Sequence, residues 1–167
     1  MKKIDKNEYE SIISDIDNSK EFQKTKEIVH HSLNRYDHSK RVSYYSYVVA
    51  KKLGLSYEEV ARAALLHDFF LVDNKDISVK ERMNTLVNHP KYAVRYSEKF
   101  FNLTDKEKDI IVSHMFPVCP TRVPKYIESW LVDIIDDAVS IAEEIKVKKG
   151  KLINYINIFL AFLITFK

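Results

Sequence analysis

Six histidines lie in this chain, and four of them, His38, His67, His89 and His114, fall at the boundaries of predicted helices. Asp68 follows His67 directly, and a late acidic group, Asp133, Asp136 and Asp137, supplies further carboxylates. Imidazole nitrogen combined with carboxylate oxygen suits borderline divalent ions (iron, manganese, cobalt, nickel or zinc) better than calcium or magnesium. These residue types therefore point to a metal centre. Neighbours on a helix project about 100° apart, so His67 and Asp68 serve one centre only where a helix ends or where the aspartate reaches a second ion. A histidine taken singly is more often a surface or hydrogen-bonded core residue than a ligand; the conjunction carries the reading. His30 and His31 stand outside it and read as solvated or helix-terminal.

Composition removes the competing chemistries. Gly54 and Gly150 are the only glycines, which excludes a Walker loop or a Rossmann fingerprint, since both need several glycines where the backbone approaches phosphate. The single cysteine, Cys119, excludes structural disulfides and thiolate zinc sites and fits a reducing compartment. Twenty-seven basic and 24 acidic residues are dispersed, for a net charge of +3. That balance gives no warrant for a nucleic-acid partner. No apolar stretch follows the polar N-terminus, so a cytoplasmic location is expected.

The elements that must position the candidate ligands all carry helical periodicity. Residues 6–16 and 20–33 read as one broken helix or two short ones, and residues 37–53 as an amphipathic helix stopped by Gly54. Ser56 and Glu59 have capping-box spacing before an apolar run that ends at His67-Asp68. After an irregular stretch with a short helix over 79–86, Asn88-His89-Pro90 opens a helix to about Phe101. Thr104 and Glu107 repeat the capping-box spacing before a helix that reaches His114 and stops at Pro117 and Pro120. Residues 126–145 form the last clear helix, with Ile127, Leu131, Ile134, Ile135, Ala138, Ala142 and Ile145 on one side and acids on the other. Periodicity does not choose among Asp133, Asp136 and Asp137. No strand is required, and a compact all-α domain is expected.

Residues 152–166 are mostly apolar and flanked by lysines, but 15 residues fall short of the roughly 20 that a bilayer span needs. A buried terminal helix or a homodimer contact is favoured over membrane contact.

Residues Ala64-Leu65-Leu66-His67-Asp68, His89-Pro90, the helix-closing His114, the early His38 and the late Asp136 together resemble the HD-domain superfamily of metal-dependent phosphohydrolases, in particular its small bacterial single-domain members. The resemblance implies an all-α helical bundle with a central metal site over residues 36–146, an N-terminal segment of residues 1–35 packed on it, and a tail of residues 147–167. It implies that His38, His67, Asp68 and Asp136 bind a first metal. By the same resemblance, His89 and His114 bind a second and Asp68 bridges the two. Asp137 is the reserve for Asp136. Leu71 stands where cyclic-di-GMP phosphodiesterases carry lysine, and Phe69-Phe70-Leu71 replaces the acidic pair of alarmone hydrolases, which disfavours both substrates.

The reaction this implies is hydrolysis of a phosphomonoester or phosphodiester in a nucleotide-like small molecule, by water activated between two divalent ions. Asp68 and Arg41 are the expected catalytic residues. Arg41, one turn after His38, shares its face and could pair its planar fork with a phosphate oxygen. Lys75, Lys91 and Arg95 are weaker candidates for that role. Tyr44, Tyr45, Tyr47, Phe69, Phe70 and Phe116 could stack on a base, with Phe116 the best placed. Two other functions fit the same ligands: a dinuclear-iron oxygenase, and a non-catalytic metal-binding regulatory module.

Overall fold

The computed structural model describes residues 4–30, 33–71 and 79–165. Seven α-helices carry the architecture: α1 (Lys6–Asp17), α2 (Lys20–Gln23), α3 (Arg35–Leu53), α4 (Tyr57–Leu66), α5 (Val79–Ser97), α6 (Asp105–Ser113) and α7 (Ile127–Thr165). The central member is α4, where Val60, Ala61, Ala63, Ala64, Leu65 and Leu66 are all buried. Its alanines let α3 lie close along one side, with α1, α6 and α7 around the others. Packing of apolar faces around one core makes the fold all-α.

α1 is attached to this core by its aromatic and aliphatic stripe, Tyr9, Ile13 and Ile16. The Tyr9 hydroxyl donates to Ser43 Oγ at 3.1 Å, and Ser43 donates in turn to the Ala61 carbonyl at 2.7 Å. One short polar chain thus joins α1, α3 and α4 inside the core, where an unpaired hydroxyl would be costly.

Three local expectations need correction. The helical stretch predicted over 20–33 ends early, at Gln23, followed by a 3₁₀ turn (Lys24–Glu27) and a small antiparallel ribbon of β1 (Val29–His30) and β2 (Leu33–Asn34). Thr25 turns its hydroxyl onto the Phe22 carbonyl at 2.6 Å, and the ribbon then delivers Asn34, whose side chain accepts from the Asp37 amide and caps α3. His30 consequently lies in a strand, while His31 lies outside the described residues. Second, α5 is continuous through Pro90; the expected helix start at Asn88-His89-Pro90 is absent. Proline deletes one helix N–H, but His89, Pro90 and Ala93 are buried, and packing keeps the helix intact across the gap.

Third, Ser56 stands at the α4 N-cap without a capping hydrogen bond. Its hydroxyl accepts from Lys106 Nζ at 2.7 Å, its amide donates to Glu128 Oε1 at 3.2 Å, and Glu59 accepts from Thr104 Oγ1 at 2.7 Å. Long-range partners on α6 and α7 outcompete the local box. The Thr104–Glu107 capping box does form.

The faces of α7 only partly follow the amphipathic expectation, with Leu131 and Ile135 packed on the core. Glu128, Asp133, Asp136 and Glu143 are buried, whereas Ile127, Ile134, Ile141 and Ile145 are more than half exposed. The polar face points inward because the polar centre of the molecule lies there. The same helix continues without a break past residue 146 as far as Thr165; side chains beyond Gly150 lie outside the described residues, and with them the use of the apolar tail. Among the described residues, no helix is long and apolar enough to cross a membrane.

Gly54 closes α3 in the left-handed region, at φ 74°, and a Cβ there would meet nothing within 4 Å. Replacement cost is therefore conformational alone. Gly54→Ala should lower the unfolding free energy by about 1 kcal/mol with an unchanged denaturant slope, and Gly54→Asn by less. Urea titration measures both.

Candidate metal centre

Two of the four histidines are placed by the same local device. A helix leaves its last carbonyls without intrahelical donors. At the end of α4, His67 Nδ1 donates to the Ala64 carbonyl at 2.7 Å; at the end of α6, His114 Nδ1 donates to the Ile111 carbonyl, also at 2.7 Å. A carbonyl acceptor requires Nδ1–H, so each ring presents the Nε2 lone pair to the interior. His67 Nε2 is buried there and has no hydrogen-bond partner.

The other donors arrive from three more helices. His38, in the first turn of α3, places Nε2 2.9 Å from Asp136 Oδ1 and Nδ1 3.0 Å from Glu143 Oε2. Asp136 and Glu143 are two turns apart on α7 and share its inward face. From α5, His89 Nε2 lies 3.2 Å from Asp68 Oδ1 and 2.9 Å from His114 Nε2. Since His114 Nε2 accepts, the His89 ring donates in that contact.

All six predicted ligands converge, none more than 9% exposed. Three groups have donor atoms within 4.8 Å of one another: His38, His67 and Asp68; His67, His114 and Asp136; and Asp68, His89 and His114. Adjacent donors around an ion with bonds of about 2.1 Å sit roughly 3.0 to 3.4 Å apart in octahedral or tetrahedral arrangements. Here Asp136 Oδ1 is 2.9 Å from His38 and 3.6 Å from His67, and His67 is 3.9 Å from Asp68 Oδ2. The first spacing is close to that range and the other two are wider; the proximity of the donors, the His67 Nε2 without a hydrogen bond and the mixed nitrogen and oxygen donor set fit a divalent cation.

The late aspartates occupy different positions. Asp136 enters the cluster, Asp137 is exposed on the far side of α7, and Asp133 is buried outside the three groups. Neighbouring charges shift the titration of several cluster groups. Burial alone would lower the His38 pKa, but the hydrogen bond and charge of Asp136, with Asp68 and Glu143, raise it above the ordinary value. Burial would raise Asp136, and the charge of His67 with the His38 hydrogen bond lowers it instead. His114 is pushed down to about 3 by burial and by His67 and His89, so it is neutral, the state a ligand needs.

Arg41 does share the His38 side of α3, but its NH1 is paired at 2.5 Å with Glu143 Oε1, the carboxylate that holds His38. Lys75 lies outside the described residues, Lys91 is exposed, and Arg95 is exposed beside a surface cleft. Of the aromatics, Tyr47 is buried and donates to Glu8 at 2.5 Å, Phe116 packs edge-on against Trp130, and Phe70 meets the cluster, its ring 5.5 Å from that of His89.

Sequence reasoning missed Glu143. Glu143 is seven residues past Asp136, a spacing that brings it to the same face, though nothing local says which helix it meets. Arg122, in the loop after His114, has buried Nε and NH1 atoms with no hydrogen-bond partner. Cys119 binds that loop to the Val87 carbonyl of α5 at 3.3 Å, two residues before His89.

Asp133 offers a pH test of this region. Its Oδ1 is buried without a partner, and burial, with the charges of Asp137 and Asp136, raises its pKa to about 7 against a backbone hydrogen bond from Phe116. A carboxyl raised on folding destabilises the protein progressively as pH climbs from the unfolded value toward 7. Asp133→Asn should therefore match wild type near pH 4 and exceed it by about 1 kcal/mol or more at pH 8, measured by denaturation of chelator-treated protein.

A family model described as HD domain matches residues 35–148, a span that holds all six clustered residues and Glu143. Comparisons with curated proteins and with solved structures find no match. With an all-α fold, the His67-Asp68 pair at a helix end and a family match over two thirds of its length, this chain belongs to the HD-domain family of the metal-dependent hydrolase superfamily.

Proposed function

We propose that the cluster holds two divalent ions and hydrolyses a phosphoester of a nucleotide-like small molecule. The observation that carries the reading is the position of Asp68, which is common to two ligand groups: one with His38 and His67, the other with His89 and His114. A carboxylate between two sets of imidazoles is the arrangement a bridging ligand needs. Bound ions would supply Lewis acidity toward phosphoryl oxygens and draw the pKa of water toward neutrality.

The chain's own residues do the rest. His38, His67, Asp68 and Asp136 form the first set, and Asp68, His89 and His114 the second. Glu143 accepts from His38 Nδ1 and so orients Nε2, the outer-sphere role that carboxylates commonly play toward ligating histidines. Arg41 anchors Glu143 from outside and is a positioning residue in this reading. Arg122 provides two buried N–H groups in want of acceptors, and a guanidinium fork suits phosphate oxygens.

Elemental analysis of anaerobically purified protein, with the same sample assayed on a generic phosphomonoester and phosphodiester, tests the reading. Close to two iron or manganese ions per chain and metal-dependent turnover are expected; less than one ion, unrestored by added metal and without turnover, would favour a regulatory module. Asp68→Ala should lose both ions and all activity, whereas His89→Ala or His114→Ala should keep one ion and lose activity. Glu143→Gln should retain the fold and weaken metal binding by about 10- to 100-fold, read by competition with a chelating dye. Arg122→Gln should raise KM with metal content unchanged.

A further inference from the structure

The outward side of α7 carries an apolar stripe. Ile127, Ile134, Ile141 and Ile145 are each more than half exposed and Trp130 is 38% exposed, and the exposed Ala138 stands between them. Ile127 to Ala138, Trp130 to Ile141 and Ile134 to Ile145 are each 11 residues apart. An 11-residue repeat departs so little from helical pitch that it stays on one side of a nearly straight helix. The side with Val132, Asp136, Val139 and Glu143 is buried, against α3, α4 and α6; the stripe lies opposite it, toward solvent. Trp130 is braced there by the Phe116 ring at 5.1 Å, which gives the stripe a rigid aromatic anchor.

Five side chains of this kind present on the order of 500 Å² of apolar surface, at the upper end of what monomers leave bare. A stable pair of proteins buries about 800 Å² on each partner. The stripe with its polar borders is of that size, and the borders select the occupant. Asp137, Glu144 and Lys148 are exposed and fall along one border of the helix. Two carboxylates beside the stripe would oppose an anionic lipid surface. A second copy running parallel would set Asp137 against Asp137 and Lys148 against Lys148. A copy reversed by a two-fold axis brings the same border against itself in the opposite direction, so that Asp137 of each meets Lys148 of the other. In that register the apolar residues of the two stripes alternate along the axis instead of colliding. Lys148 also contacts Glu144 of its own helix at 2.9 Å, but an exposed pair of this kind contributes little, and an ammonium has further donors to give.

We propose that α7 is a self-association face and that two copies of this chain pack antiparallel along the stripe from Ile127 to Ile145, closed by Asp137–Lys148 pairs between them. The helix that supplies Asp136 and Glu143 then lies at the middle of the assembly, with the two His/Asp clusters on its outer sides. The spacing of the stripe continues in the sequence at Leu152, Ile156, Phe159 and Leu163, and α7 itself runs to Thr165; reversal places that run beside Ile127 and Trp130 of the other copy. The inference is independent of the reaction at the cluster.

Sedimentation equilibrium of the full chain across the micromolar range should give twice the chain mass of 19.7 kDa. Ile134→Lys combined with Ile141→Lys sets four charges in the contact and should raise the dimer Kd by at least about 100-fold, with the helical circular dichroism retained because both positions face solvent. Asp137→Lys and Lys148→Glu should each weaken the dimer about tenfold, and the two together should restore it to within about threefold of wild type. A wild-type monomer at every concentration, a species larger than a dimer, or association unchanged by the isoleucine substitutions would overturn the proposal. Loss in both charge variants without rescue in their combination would overturn the antiparallel pairing. Flotation of a monomeric wild type with phosphatidylcholine–phosphatidylglycerol vesicles, abolished by the isoleucine substitutions, would overturn it as well and assign the stripe to a lipid surface.

Discussion

Two hydrogen bonds, His67 Nδ1 to the Ala64 carbonyl and His114 Nδ1 to the Ile111 carbonyl, govern the rest of the centre. Each uses a carbonyl that the end of a helix leaves over, and each commits an imidazole to one tautomer with its lone pair aimed inward. A ring at such a position cannot turn its Nε2 to solvent without orphaning that carbonyl. The helix ends therefore set ligand geometry before any ion is present, and the cost of ordering the rings is met during folding.

The same economy explains α7. An amphipathic helix ordinarily turns its apolar side to the core, and α7 does so only in part, through residues such as Val132 and Val139. Its carboxylates face inward because imidazoles and cations await them: Asp136 and Glu143 at His38, Glu143 again at Arg41, and Glu128 at Lys106 and the Ser56 amide. Buried charge is tolerated where it is paired. Asp133, which lacks such a partner, stands out as the one late aspartate with a strongly raised pKa and a buried orphan oxygen.

What could be read in the sequence was what local rules decide. The ends of α4 and α6 were legible, because the apolar run before His67-Asp68 and the Thr104–Glu107 box are contained within a few residues. The choice of Asp136 came from resemblance to a family pattern, since a helical wheel alone cannot say which of two polar faces is buried. Features set by distant partners stayed hidden. Ser56 abandons its own capping box for Lys106 and Glu128, Pro90 is carried inside α5 by packing, and Glu143 has meaning only once α3 and α7 lie side by side. The ribbon at Val29–His30 and Leu33–Asn34 is likewise too short to leave a periodic trace.

The six clustered donors are drawn from α3, α4 with the turn after it, α5, α6 and α7, so no single helix or helix pair contains the whole centre. They are also ordered in time. A ribosome releases His38, His67 and Asp68 first, then His89 and His114, and only 22 residues after His114 does it release Asp136. During synthesis, the group formed by Asp68, His89 and His114 is complete before Asp136, the last donor of the group with His67 and His114, exists.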